Sequence, residues 1–258
     1  MKIFDSHAHY DDELFSNDLD ELVRELKENN VIGVINCGVN HDSCIAVVDL
    51  MRKYDIFYGA IGLHPEFSHT FYDKILDFFD KLIYSNKKIR AIGEIGLDYY
   101  WKENPPKEHQ IKVFEYQMKF ANDLNLPVII HDRNAHNDTY EVVKKFKGLK
   151  GVLHCFSGSV ELAKEYIKLG YYIGIGGVST FKNSKKIIDV IENIDIHDIL
   201  VETDAPYLAP EPFRGKRNRS DYLSYVIDKI ADIKGLKREE LSDILVNNTL
   251  TLFNIVLN

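Results

Sequence analysis

Ile89-Arg90-Ala91-Ile92-Gly93-Glu94-Ile95-Gly96-Leu97 is apolar throughout except for Arg90 and Glu94, and it stops at the charged Asp98. A strand with one wet face alternates polar with apolar residues, and this run does not. It reads as a strand buried on both faces, the condition of a parallel sheet covered by helices. Seven other runs share its length and character: Lys2–Tyr10, Val31–Gly38, Ile56–His64, Leu126–Asp132, Gly151–Phe156, Tyr171–Val178 and Ile199–Asp204. Helical spacing fills most of the intervals. Leu19, Leu22, Val23 and Leu26 fall at i, i+3, i+4 and i+7, and Asn29-Asn30 ends the pattern. Ile75–Leu82, Val113–Leu124, Tyr140–Phe146, Val160–Leu169, Ser184–Ile194 and Tyr222–Ile233 continue the series, and a last pattern runs through Leu241, Ile244, Leu245 and Val246. Eight such units in about 250 residues is the rhythm of a (β/α)8 TIM barrel, here a single domain over residues 1–258. The rival, a doubly wound open sheet, has only a weak phosphate-loop echo at Gly174-Ile175-Gly176-Gly177-Val178-Ser179.

The chain carries 32 Lys+Arg against 40 Asp+Glu, a net charge of −8. That balance argues against a protein that coats nucleic acid non-specifically, but not against an enzyme with a local basic site. No run reaches the roughly 18 apolar residues of a membrane span, so no membrane role is expected. The start meets charge too soon for a secretory signal. Cys37, Cys44 and Cys155 are an odd set with no pairing pattern, which suits a cytoplasmic location.

Six of the eight strand-like runs end in a residue type that binds metals: His7 and His9, His64, Glu94, His131, His154 and Asp204. In a barrel, the C-terminal strand ends converge on the working site. His7 and His9 are two apart, so both imidazoles face one side. Joined by Glu94, His131, His154 and Asp204, they make a mixed nitrogen and oxygen set for divalent cations. Four histidines and two acids exceed what one tetrahedral ion needs. Two ions per chain, bridged by Glu94, are expected, with Mg, Mn and Zn as candidates. Cys155 alternates away from His154 and reads as a small buried hydrophobe, while Glu202 can share the side of Asp204. His41, His69, His109 and His197 read as surface residues.

These segments resemble the TatD-like metal-dependent deoxyribonucleases, a branch of the metallo-dependent hydrolase superfamily. The similarity rests on Phe4-Asp5-Ser6-His7-Ala8-His9-Tyr10-Asp11, Pro127–Ala135 and Glu202-Thr203-Asp204-Ala205-Pro206-Tyr207-Leu208. It is strengthened by Gly62–Pro65, Gly93–Tyr99, His154–Gly158, Arg214–Asn218 and Asn248–Phe253. The resemblance implies the same barrel and assigns metal binding to the same six residues. Arg219-Ser220 stands where the family usually continues with Glu-Pro, Tyr10 replaces an aliphatic residue, and Asn137 with Asp138 replaces the usual acid.

The chemistry expected is hydrolysis of a phosphodiester by metal-activated water. Asp204 is the candidate general base as well as a ligand, and Glu94 sets the spacing between ions. Arg133, Arg214, Lys216 and Arg217 are the candidate phosphate contacts, because guanidinium groups fit phosphate bidentately. His64 is the candidate donor to substrate or leaving group. Tyr99, Tyr100 and Trp101 can stack bases. The resemblance points to DNA as substrate, cleaved from a 3′ end; a monomer is the default expectation for a closed barrel. The competing reading is an amidohydrolase that cleaves a C–N or carboxylic ester bond of a small molecule. Related barrels often bridge their metals with a carboxylated lysine after the fourth strand, where this chain has Glu94.

Overall fold

The computed structural model describes residues 1–72 and 74–257. Eight strands, β1 Ile3–Ala8, β2 Val31–Cys37, β3 Phe57–Ile61, β4 Ile89–Asp98, β5 Val128–Arg133, β6 Gly151–Leu153, β7 Tyr171–Ile175 and β8 Ile199–Val201, pair in parallel in chain order. A bridge between Ala8 and Ala205 joins the first strand to the segment after the last. The architecture is the (β/α)8 barrel. The helices are α1 Leu19–Glu28, α2 His41–Lys53, α3 Ile75–Ser85, α4 Lys107–Leu124, α5 His136–Val143, α6 Val160–Lys168, α7 Lys185–Asn193, α8 Leu223–Lys234 and α9 Arg238–Leu252. Among the described residues, no helix is long and apolar enough to cross a membrane.

Two packed regions hold the barrel. The larger lies between the strands and the outer helices. The smaller fills the lumen, where Phe4, Ile35, Ala60, Ala91, Ile129, Val152 and Leu200 meet Val246, Leu252, Phe253 and Ile255 from α9 and the residues after it. The end of α9 therefore plugs the N-terminal mouth, and only the C-terminal mouth is left to polar chemistry.

The sequence runs and the strands coincide at their starts and differ at their ends. β3, β6, β7 and β8 stop at Ile61, Leu153, Ile175 and Val201, several residues before the apolar runs do. Cys155 (φ 45°) and Asp204 (φ 59°) adopt left-handed backbone, which a strand cannot contain. The residues beyond each strand are thus loop residues at the barrel mouth. One helix, α2, escapes the sequence reading. Its buried Cys44, Val47, Val48 and Met51 keep helical spacing, and Asn40 and Ser43 form a reciprocal cap.

Candidate metal centre

β1 carries His7, and His9 follows just past its end, so that their Nε2 atoms lie 3.0 Å apart. His9 Nδ1 donates to the Cys37 carbonyl at 2.9 Å, and His7 Nδ1 meets the Cys37 thiol at 3.3 Å. With its proton on Nδ1, the neutral His9 ring presents a lone pair at Nε2. The 3.0 Å between the two Nε2 atoms can be bridged by one proton, or both lone pairs can face one cation. Two carboxylate oxygens face the same point. Glu94 Oε2 lies 3.5 Å from both Nε2 atoms, and Asp204 Oδ1 lies 3.5 and 3.4 Å from them. Donors at the corners of a tetrahedron, each 2.0–2.1 Å from a central ion, would be about 3.3–3.4 Å apart. The five separations between these atoms, 3.0 to 3.5 Å, are near that spacing, and His7, His9 and Asp204 lie close enough together to share an ion.

The other oxygen of Glu94 faces a different group. Oε1 lies 2.8 Å from His131 Nδ1, 3.4 Å from His154 Nε2 and 3.7 Å from His64 Nε2. Alternation alone would not turn both Ala91 and Glu94 into the lumen, since they are three residues apart. The β4–β5 pairing slips between Ile92 and Ile95, and that slip lets Glu94 point inward above Ala91. A comparable irregularity in β1 falls between Asp5 and Ala8. It separates the histidines from Asp5, which instead accepts from Thr203 Oγ1 and Ser220 Oγ, both at 2.6 Å.

His64 could share an ion with Glu94 and His131 by proximity. Its hydrogen bonding argues otherwise. His64 Nδ1 accepts the Glu66 N–H at 3.3 Å, which leaves the proton on Nε2, where a metal ligand needs a lone pair. Burial and the neighbouring His131 lower its pKa to about 3, so the ring is a neutral donor. Two residues not assigned from sequence support the set. Asp98 Oδ2 lies 3.2 Å from His131 Nε2, and Glu202 Oε1 lies 3.4 Å from His154 Nδ1. Asp98 ends β4 four residues past Glu94, so its place on the same strand was the available signal. Glu202 Oε2 and His154 Nδ1 are buried without a hydrogen-bond partner. Glu202 Oε1 also accepts the Cys155 N–H.

The electrostatics are those of carboxylates and imidazoles that must share positive charge. Burial would raise Glu94, but His154, His7, His64 and the hydrogen bond to His131 outweigh it and hold the carboxyl well below its usual range. Burial likewise opposes charge on His131, and hydrogen bonds to Asp98 and Glu94 overcome it, raising the ring to about 9. Asp204 is lowered against burial by His7 and His9. Protons can supply that positive charge, and divalent cations can replace them.

A model of the family described as TatD related DNase matches residues 4–254. The chain belongs to that family. It is 38% identical over 255 residues to the uncharacterized metal-dependent hydrolase YabD of Bacillus subtilis, with 98% of this chain and 99% of the relative covered. The crystal structure of YjjV, a TatD homolog from Escherichia coli, matches with a TM-score of 0.92 at 32% identity over 98% of each chain. A TatD family hydrolase from Entamoeba histolytica matches with a TM-score of 0.89 over 98% of each chain, and at 23% identity it shows the shared fold. The chain is a metal-dependent hydrolase of the TatD type.

Around this TatD centre, the other candidate residues separate into groups. His64 sits beside Glu94, with its side chain 13% exposed. Arg133, at the end of β5, lays its guanidinium 4.1 Å from the ring centroid of Tyr100 and 5.4 Å from that of Trp101, and both rings are exposed. Tyr99 is held differently: its hydroxyl donates to Asp138 and Lys107 lies over its ring. Arg214 stacks on Phe181 and Lys216 reaches over Phe213, both at the surface. Arg217 is spent on structure. It pairs bidentately with Asp18 at 2.8 and 2.5 Å and donates to the Leu14 carbonyl at 2.7 Å. Arg219 is similarly tied to Glu25 and Asp221. Asn218, between them, donates to the carbonyls of Thr203 and Tyr207 and so braces the Asp204 loop from both sides. Cys155 is not the fully buried hydrophobe of the sequence reading. It is partly exposed and lines a cleft beside His154, because its left-handed backbone breaks strand alternation.

Proposed function

We propose that this TatD-family chain is a deoxyribonuclease that removes nucleotides from a 3′ end, and that it does so with two divalent ions. The observation that carries the reading is Glu94, whose Oε2 faces His7 and His9 while its Oε1 faces His131 and His154. His7, His9, Glu94 and Asp204 would hold one ion, and Glu94, His131 and His154 the other. Bound there, such ions would acidify water and neutralise charge on a phosphodiester.

The chain's own groups do the rest. Asp204 takes the proton of the attacking water. Its N–H donates to the His7 carbonyl at 3.0 Å, which fixes the left-handed turn that aims its carboxylate at the His7 and His9 imidazoles. His64 offers Nε2–H to the phosphate or to the leaving oxygen. Arg133 takes a phosphate while its face rests on Tyr100, and the exposed Tyr100 and Trp101 rings receive bases by stacking. Arg214 and Lys216 are the outer phosphate contacts. Arg217 acts only by holding the loop against α1. A monomer is the default for a barrel of this kind. Three free cysteines support a cytoplasmic location.

The test is a panel of single-stranded DNA, duplex DNA, RNA and small amides, offered to metal-stripped protein with Mg, Mn or Zn added back. DNA cleavage restored by metal is expected. Amide turnover with no phosphodiester cleavage under any metal would reverse the reading in favour of an amidohydrolase.

A further inference from the structure

The barrel mouth has two lobes that meet over His131, His154 and Asp204. One, of about 290 Å³, is walled by the loops after β5, β6, β7 and β8, with Phe156, Val178 and Leu208 among its apolar residues. The other, of about 340 Å³, lies over the loops after β1, β2 and β3.

The lobes differ in where their cations lie. Arg133 lines the first lobe, beside Asp132, which faces His136, and Asp204, which both lobes share. Lys186 borders it through the Ser157 carbonyl, and Arg214 lies beyond it on Phe181, in the loop after β7. The second lobe is lined by Asp11, Asp12 and Glu66 besides Glu94 and Asp204, and by no lysine or arginine. Glu94 and Asp204 face imidazoles. Asp11, Asp12 and Glu66 make no ion pair among the described residues. Asp11 accepts from Asn36, and Asp12 from Tyr207 and the Leu14 N–H. The glycine run after β7 helps to shape the first lobe. A side chain on Gly177 would run into the Leu208 carbonyl, so the β8 loop can close against it only because that residue is glycine.

A polyanionic strand is better received by the lobe that holds Arg133, and whatever enters the lobe without lysine or arginine must carry no extra negative charge. Given the reading of the enzyme as a 3′-end deoxyribonuclease, on which this step rests, we infer that the acidic lobe receives the terminal nucleoside and selects chain ends with a free hydroxyl over ends with a terminal phosphate. A hydroxyl can donate to the carboxylates. A terminal phosphate brings a charge of about −1.5 to −2 against them.

The experiment compares metal-loaded protein on two oligodeoxynucleotides that differ only in a 3′-hydroxyl or a 3′-phosphate. The phosphate should lower kcat/KM at least tenfold, and added salt should narrow the gap. Asp12→Asn, which keeps the turn cap, and Glu66→Gln, at the surface, should each shrink the ratio, chiefly through a lower KM for the phosphorylated end. Equal rates on the two ends, or a ratio that neither variant moves, would overturn this inference alone. Cleavage of neither oligonucleotide would overturn the DNA reading, and the inference with it.

Discussion

At the scale of single residues, the centre is built on charge that must be shared. The centre holds Glu94 and Asp204 ionised against burial, and it raises His131 to about 9. Below that value the metal-free protein keeps a proton on His131, and a cation that takes the ring must expel it. Affinity should therefore rise with pH between 7 and 9 and level off above about 9, by up to tenfold per unit for each proton displaced. Calorimetric titration of manganese in buffers of different ionisation enthalpy would report the released protons. A pH-independent affinity with no proton release would contradict the assignment. The six proposed ligands were legible because each sits in the C-terminal half of an apolar run or at its end, and burying so many ionisable groups is tolerable only if they compensate one another. Asp98 and Cys37 were not singled out. Their roles are contacts to a ring nitrogen, at His131 and His7, and such contacts depend on ring orientation rather than on spacing.

At the scale of elements, the eight strands were legible, and the points where they end were not. Apolar runs continue past Ile61, Leu153, Ile175 and Val201 because the mouth loops are themselves packed, as at Leu63, Phe156 and Ala205. Hydrophobicity alone cannot distinguish a buried loop from a buried strand. The basic segment Arg214–Arg219 shows a related limit, since four cations in six residues look alike until their partners are known. Arg217→Ala should lower the melting temperature by roughly 2–4 °C, as for about 1 kcal/mol, and leave the salt dependence of the KM for DNA unchanged. Neutralising Arg214 and Lys216 together should raise that KM and flatten its salt dependence. Kinetics at several salt concentrations separate the two cases. A flattened slope in the Arg217 variant would return that residue to the substrate surface.

At the scale of the whole molecule, the nearly closed barrel has one sealed mouth and one reactive mouth. Phe253, 1% exposed, belongs to the plug at the sealed end, so Phe253→Ala should cost about 3–5 kcal/mol in denaturant unfolding with little change in kcat at a temperature where the variant stays folded. A loss of kcat without loss of stability would show that the plug reaches the chemistry. The net charge of −8 is compatible with a DNA substrate because the free cations gather on the β5–β8 half of the mouth. The measurement that most directly tests the account follows cleavage of a single-stranded oligodeoxynucleotide while manganese is titrated into metal-stripped protein. The rate should rise to a plateau at two equivalents per chain, Glu94→Gln should lose both the stoichiometry and at least a hundredfold in rate, and Asp204→Asn should be nearly inactive at any loading. A plateau at one equivalent would contradict the bridging role of Glu94, and no cleavage at any loading would contradict the phosphodiesterase itself.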